Sequence, residues 1–166
     1  MIPGHVTHAA REGVHVLRYF GAVNYTLAPG LQRFLQHLIH AGSVSGLVFD
    51  LTQAESLDST NLGLMGRVNE EVHGLGAANS VIIFRNDDID AVLRSMGFDQ
   101  TFDLFPAGQA MPNVNDEAVA VGVTCAAELQ HTMLEAYRAL VRMSEVGRLE
   151  FEAVVACLKG AGDEHS

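Results

Sequence analysis

Two short apolar runs constrain the fold of this chain more than any other feature of its sequence. Residues 46–52 read GLVFDLT and residues 80–84 read SVIIF, and in neither run do apolar and polar residues alternate. A strand with apolar side chains on both faces is usually buried under helices on both sides, or on one face and at an edge. The two runs therefore predict buried strands of an α/β sheet.

Around these strands, hydrophobic periodicity predicts the order β-β-α-β-α-β-α-β. Strand–helix–strand units of this length form parallel pairs with right-handed crossovers. We therefore predict a small α/β domain over residues 5–107, with a four- to five-stranded, mostly parallel sheet and its helices. The predicted elements are, in chain order, a hairpin of residues 6–10 and 14–20 turning at Glu12 and Gly13, a helix from Pro29 to Gly42, the 46–52 strand, a helix from Asp58 to Gly74 or Gly76, the 80–84 strand, a helix capped by Asp87 or Asp88 and ending at Gly97, and a strand over 102–105.

The rest of the chain predicts a linker and a helical extension. Residues 108–123 contain Gly, Pro and Asn, which favour a linker, and residues 124–160 predict a helical hairpin with helices over 124–143 and 146–159. Two short helices cannot bury their own apolar faces. They must therefore dock on the domain, on a partner or on a second copy of the chain, and the last case would give a homodimer.

Composition narrows the classes of partner. The 166 residues are 48% hydrophobic and 18% charged, which is enough for a real core and too apolar for a disordered chain. The net charge of -10 repels phosphate backbones, so we expect no nucleic-acid binding. No run approaches the roughly 20 apolar residues of a membrane span. Since no apolar run follows basic residues at the N-terminus either, we expect a cytoplasmic protein without membrane insertion.

The sequence lacks the common motifs of catalysis and metal binding. It contains no Walker loop, no G-x-G-x-x-G after a strand, no G-x-S-x-G and no H-E-x-x-H. Cys125 and Cys157 lack a metal-ligand spacing, and His37 and His40 have no carboxylate or cysteine at a matching distance. We therefore expect no enzymatic activity, no catalytic residues, no metal and no cofactor.

Residues 58–61 read DSTN, four residue types that favour helix N-termini, so the simplest interpretation is that Asp58 caps a helix. The apolar stripe behind this cap consists of Leu62, Met65, Val68 and Val72. With that stripe turned inward, Thr60, Leu64 and Arg67 are expected on the outer side of the helix. An outward Leu64 would be either an interface anchor or a lone exposed leucine.

The segment VFDLTQAESLDSTNLGLMGRV, residues 48–68, resembles the STAS domain typified by bacterial anti-anti-sigma factors. In that family a buried strand ending in D-L/F-S/T is followed by a loop, the motif D-S-S/T-G-L-G and a helix. The residues that match in order and spacing are Asp50-Leu51-Thr52, Asp58-Ser59-Thr60 and Leu62-Gly63. Asn61 stands where the family usually has glycine, and asparagine tolerates unusual backbone angles better than most residues. The resemblance covers residues 5–107 and implies the STAS fold.

The resemblance implies a bacterial signalling protein that switches partners and performs no catalysis. Unphosphorylated, it would bind an anti-sigma factor, often a serine kinase; phosphorylated, it would release it, and a phosphatase would reset it. The implied site consists of Ser59 as the phosphorylated residue and of Asp58, Thr60, Asn61, Leu64 and Arg67 as switch-loop and partner-binding residues. Two alternatives stay open: a non-catalytic accessory STAS subunit of a transport or signalling complex, and a small-ligand sensor that binds a metabolite near the Ser59 loop.

Overall fold

A computed structural model describes residues 3–42, 44–108, 116–120, 122 and 124–164. Within these residues the chain forms one six-stranded sheet and five α-helices. The strands are β1 His5–Arg11, β2 Val14–Val23, β3 Gly46–Leu57, β4 Val81–Phe84, β5 Asp103–Pro106 and β6 Glu117–Ala118. The helices are α1 Ala28–His40, α2 Ser59–Gly74, α3 Asp87–Ser95, α4 Ala126–Met143 and α5 Glu145–Glu164.

The sheet is mixed, with the strand order β5-β4-β3-β2-β1-β6. Strands β2 to β5 run parallel to one another, whereas β1 is antiparallel to both β2 and β6. The hairpin between β1 and β2 turns at Glu12 and Gly13, which have φ angles of 53° and 82°. Two successive positive φ angles match the twist of a two-residue hairpin turn. The predicted α/β class and the mostly parallel sheet are confirmed, although the sheet has one strand more than the upper limit we expected.

The additional strand lies in the segment predicted as a linker. Thr7 pairs with Ala118 and His8 with Glu117, which attaches β6 to the outer edge of β1. Just before β6, Asp116 accepts a hydrogen bond of 2.8 Å from the Thr7 hydroxyl and lies 3.0 Å from the Arg18 guanidinium. The chain that leads towards α4 is therefore fixed to the sheet. Residues 109–115, 121 and 123 of the predicted linker lie outside the described residues.

Several element boundaries differ from the sequence predictions for local reasons. Asn86 caps α3, because its side chain accepts from the backbone amides of Asp88 and Ile89. The predicted caps Asp87 and Asp88 were therefore wrong, and both lie in the first turn of α3, where the helix dipole favours acids. Strand β3 continues beyond residue 52 to Leu57, and β5 includes Pro106.

Helices α4 and α5 form a hairpin that docks on the domain. The rings of Tyr137 and Phe151 stack with centroids 5.0 Å apart, and the Gln130 side chain donates to the Leu158 carbonyl at 3.0 Å. Each contact joins a residue of α4 to a residue of α5, and the chain reverses between the two helices at Ser144. The sequence left three docking options open: the domain, a partner or a second copy of the chain. In the structure the hairpin packs on the domain, with α4 against α2. No helix in the described part of the chain is long and apolar enough to cross a membrane.

Candidate functional site

Ser59 is the first residue of α2 and follows directly on the cap of that helix. The Asp58 carboxylate accepts from the Asn61 backbone amide at 3.0 Å and from the Asn61 side-chain amide at 2.8 Å. The prediction that Asp58 caps this helix is therefore confirmed. Because Asp58 and Asn61 bond to each other, the Ser59 hydroxyl is left free to contact another element.

Asn61 has a different role from the one expected. It lies inside α2 and does not have the positive φ angle that glycine would favour. Its side chain is completely buried and donates to Asp58. Asparagine in place of the family's usual glycine therefore closes the N-terminus of the helix with an additional hydrogen bond.

The Ser59 hydroxyl contacts Tyr137 of α4. The phenol oxygen of Tyr137 lies 3.1 Å from the Ser59 hydroxyl oxygen and 3.3 Å from that of Thr60, whose hydroxyl donates to it. Thr60 is only 2% exposed, and Ser59 is partly buried. The sequence singled out Ser59 and Thr60 but not Tyr137, which is distant in sequence and belongs to no motif.

Two glycines let the backbones of α2 and α4 approach closely. A Cβ atom at Gly63 would overlap the backbone of Ala136, and one at Gly66 would overlap the Met143 sulfur. Backbone atoms cannot rotate away as a side chain can, so the contact at Gly63 tolerates no larger residue without a shift of α4. Gly63 and Gly66 therefore face α4.

Ion pairs extend this contact along α2. The Arg67 guanidinium lies 3.5 Å from the Glu135 carboxylate, and Arg142 donates to Glu70 at 2.8 Å and 3.3 Å. Exposed pairs of this kind contribute about 0–1 kcal/mol each, so their main effect is to fix the register of the two helices. We call the α4-facing surface of α2 the α2 seam; it consists of Ser59, Thr60, Gly63, Gly66, Arg67 and Glu70.

Leu64 does not belong to this surface. The expectation of an outward Leu64 was wrong, because its side chain is 0% exposed and belongs to the hydrophobic core. Glu71, two helical turns further on the same side of α2, accepts a hydrogen bond of 2.8 Å from Gln36 of α1. Helix α2 is thus covered by α1 on one side and by α4 on another, as well as by the sheet.

The D-L-T motif at residues 50–52 has a structural role in β3. The buried Asp50 carboxylate accepts from the Thr52 backbone amide at 2.9 Å and from its hydroxyl at 2.7 Å. Asp50 also lies 3.8 Å from Arg18, which contacts Asp116. The motif therefore helps to connect β3, β2 and the residue before β6.

Two clefts lie near the carboxyl end of β3. The larger, of about 510 Å³, is open and is lined by residues 52–55, Arg85 and Asn86. The smaller, of about 210 Å³, is lined by residues 55–57, Leu62, Asp88, Ile89 and Val92. Among the described residues, no three histidine, cysteine or acidic side chains are grouped so that they could share a metal ion.

A histidine pair lies apart from the α2 seam. The Nε2 atom of His8 is 2.9 Å from the Nδ1 atom of His15, and the His8 ring packs edge-on against Phe34. Burial and the neighbouring His15 lower the pKa of His8, and the nearby acids Glu117 and Asp116 oppose this shift only in part. The structure therefore favours neutral His8.

Residues 5–111 match the family model of the STAS domain. The chain belongs to the STAS domain family. Helices α4 and α5 lie outside the matched range. A comparison with curated proteins finds no match.

Solved structures of similar fold cover the STAS part of the chain. An anti-sigma factor antagonist from Mycobacterium paratuberculosis has a TM-score of 0.53 and 23% identity, covering 64% of this chain and 88% of its own. The anti-sigma factor antagonist SpoIIAA in its unphosphorylated form has a TM-score of 0.56 and 14% identity, covering 63% and 88%. The Bacillus cell-fate determinant SpoIIAA in its phosphorylated form has a TM-score of 0.53 and 14% identity, covering 63% and 91%. At these identities the likeness is one of fold.

Proposed function

We propose that this STAS protein is a non-catalytic partner-switching regulator, an anti-sigma factor antagonist of the bacterial cytoplasm. Unphosphorylated, it binds an anti-sigma factor; phosphorylated on Ser59, it releases that partner. The observation that carries the proposal is the position of Ser59, directly behind the Asp58 cap and at the first residue of α2. The partner-binding residues we propose are Asp58, Thr60, Asn61 and Arg67 around it.

Electrostatics supports Ser59 as an acceptor of phosphate. The N-terminus of a helix carries partial positive charge, which favours a phosphate at that position. The phosphate adds about −1.5 to −2 charges at neutral pH. When that charge meets partner acids across an interface, the repulsion amounts to several kcal/mol, and about 1.4 kcal/mol is tenfold in affinity. A loss of about a hundredfold in binding is therefore expected.

The similar structures support this assignment by analogy. SpoIIAA is described in an unphosphorylated and in a phosphorylated form, and the Mycobacterium relative is also an anti-sigma factor antagonist. By that analogy, the kinase that modifies Ser59 is the anti-sigma factor or a separate serine kinase, and a phosphatase resets the switch. The kinase supplies the ATP, the metal and the base, so Ser59 needs no catalytic neighbours of its own.

The first experiment is intact-mass and peptide mass spectrometry of the protein from its own host, in growth and under stress. We expect the phosphorylated fraction of Ser59 to differ between the conditions. Its complete absence in every condition would contradict the proposal and favour a constitutive binding subunit.

A second experiment compares variants in affinity capture with quantitative mass spectrometry. Ser59→Ala should retain the partner in all conditions, and Ser59→Asp should lose most of it. Ser56→Asp is the matched control, because Ser56 is an exposed serine near the end of β3 and takes the same charge three residues before Ser59. Equal capture by Ser59→Ala, Ser59→Asp and the unaltered protein would refute the switch.

We also propose that α5 mediates a homodimer. Leu149 is 69% exposed, and Val146 lies on the same side of the helix and is exposed too. Exposed large apolar residues grouped on one helix face mark interaction surfaces. The oligomeric state by light scattering tests this proposal.

A further inference from the structure

The α2 seam, which the proposed partner must contact, is already covered by a helix of the same chain. Thr60, Gly63 and Gly66 are buried beneath α4, and the Ser59 hydroxyl touches Tyr137. A kinase would also have to reach Ser59 past that tyrosine. Neither protein can use the seam while α4 stays in place.

The composition of the seam differs from that of a permanently buried helix face. Its residues are Ser, Thr, Gly, Gly, Arg and Glu, without one large apolar side chain. The opposite face of α2 carries Leu62, Met65, Val68 and Val72, all of them in the core. A helix face that is always buried is expected to be apolar, and one that meets water is expected to be polar. The charged residues Arg67 and Glu70 already reach solvent at the rim of the seam, and its buried centre of Thr60, Gly63 and Gly66 is small, so α2 would expose little apolar area if α4 moved away.

We propose that the α4–α5 hairpin is a lid that competes with the partner for the α2 seam. This inference rests on the proposed function, since that function assigns Ser59, Thr60 and Arg67 of the seam to a partner. The occupant that the seam fits is an α-helix of the partner. That helix would present a small residue to Gly63, as Ala136 does, and a carboxylate to Arg67, as Glu135 does.

The lid sets the affinity of the partner through the population of the open state. The apparent dissociation constant equals the intrinsic constant divided by the open fraction, so a lid that is open about 1% of the time weakens binding about a hundredfold. The same fraction limits the access of a kinase to Ser59. A partner whose helix docks on the seam traps the open state.

Thiol labelling of the full chain measures this opening directly. Both native cysteines are exposed and are first replaced by serine, as Cys125→Ser and Cys157→Ser. Ala139→Cys then places a buried reporter in α4 against Gly66, and Ala28→Cys in a second protein places one in the domain core. We expect Cys at position 139 to react with a maleimide at least tenfold faster than Cys at position 28. Equal rates would mean that α4 opens only when the whole domain unfolds, and would overturn the lid.

A tyrosine variant tests what holds the lid closed. Tyr137→Phe removes the contacts to Ser59 and Thr60 and should raise the labelling rate at position 139 at least threefold, with no change at position 28. Tyr25→Phe is the matched control, because Tyr25 is an exposed tyrosine outside α2 and α4. An unchanged rate at position 139 in Tyr137→Phe would contradict the role of this tyrosine.

A peptide competitor tests the kind of partner. A synthetic peptide of residues 126–143 should raise the labelling rate at position 139 at least threefold, because it occupies the seam after α4 leaves. The same peptide with Ala136→Leu should have no effect, since the seam leaves no room beside Gly63. No effect from either peptide would overturn the helix-binding seam. All three measurements use purified, unphosphorylated protein, so they can succeed or fail independently of whether Ser59 is phosphorylated in the host.

Discussion

Replacing Gly63 with alanine is expected to stabilise α2 and at the same time to loosen α4 from it. Alanine in place of glycine within a helix favours that helix by about 1 kcal/mol. At this position, however, the new Cβ atom would overlap the backbone carbonyl of Ala136. The backbone of α4 cannot yield by changing a rotamer, so the helix as a whole must move.

The size of this opposing effect follows from the cost of overpacking. Inserting one methyl group into a filled site costs about 1–3 kcal/mol. If that cost falls on the closed state alone, the open population of α4 rises by between about fivefold and 150-fold, at about 1.4 kcal/mol per factor of ten. The STAS domain with α4 detached keeps the helix-propensity gain.

Hydrogen exchange followed by mass spectrometry separates the two effects. Peptides from α4 should exchange faster in Gly63→Ala by the factor given above, whereas peptides from β3 should exchange no faster than in the unaltered protein. Gly74→Ala is the matched control: it is the same substitution in the same helix, and a Cβ atom there meets nothing within 4 Å. That variant should stabilise the protein and leave exchange in α4 unchanged. Unchanged exchange in α4 of Gly63→Ala, with a lower unfolding midpoint in urea, would refute the reasoning, because α4 would then be an inseparable part of the core.

Three further predictions concern stability and assembly. Asp58→Ala removes the cap of α2 and should lower the free energy of unfolding in urea by about 1 kcal/mol. Asp88→Ala removes an exposed acid that caps nothing and should lower the free energy of unfolding by less. Equal losses in the two variants would contradict the capping role of Asp58. Since the pKa of His8 is lowered on folding, the unfolded chain binds the proton more readily. The His8 contribution to stability is therefore complete above a pH of about 6.5 and is lost as the pH falls below that value through the lowered pKa. Urea titrations from pH 7.5 to 5.5 should show a shallower loss of stability for His8→Gln than for the unaltered protein, and equal slopes would refute this. Leu149→Glu should convert the dimer to a monomer, as measured by light scattering. Leu75 is an equally exposed leucine at the end of α2, and Leu75→Glu should leave the dimer intact. A monomeric unaltered protein would refute the α5 dimer.

Local signals in the sequence were sufficient for most of the fold. The apolar run of β3, the positive-φ turn at Glu12 and Gly13 and the Asp58 cap depend on residues within a few positions of one another. Strand β6 escaped prediction because it has only two residues and carries no alternation; its pairing with β1 comes from distant backbone groups. The Asn86 cap was missed because three successive polar residues offered equivalent side chains, and only the backbone path selects one of them.

The candidate site was predictable only in part, because helical periodicity tells on which face of a helix a residue lies but not which other element packs against that face. Thr60 and Arg67 both contact α4, and Leu64 is buried in the core. The pairing of residues 59–74 with residues 126–143 is a tertiary contact that no local pattern specifies.

A signal for that contact was nevertheless present in α2. Gly63 and Gly66 stand in the interior of a helix, where each glycine costs about 1 kcal/mol relative to alanine. A cost of that size on one face indicates that another backbone comes close to it, and the structure has α4 at that position. Glycines that share one face of a helix therefore predict a second helix packed closely on that face, and under the lid proposal a partner helix would have to fit the same two glycines.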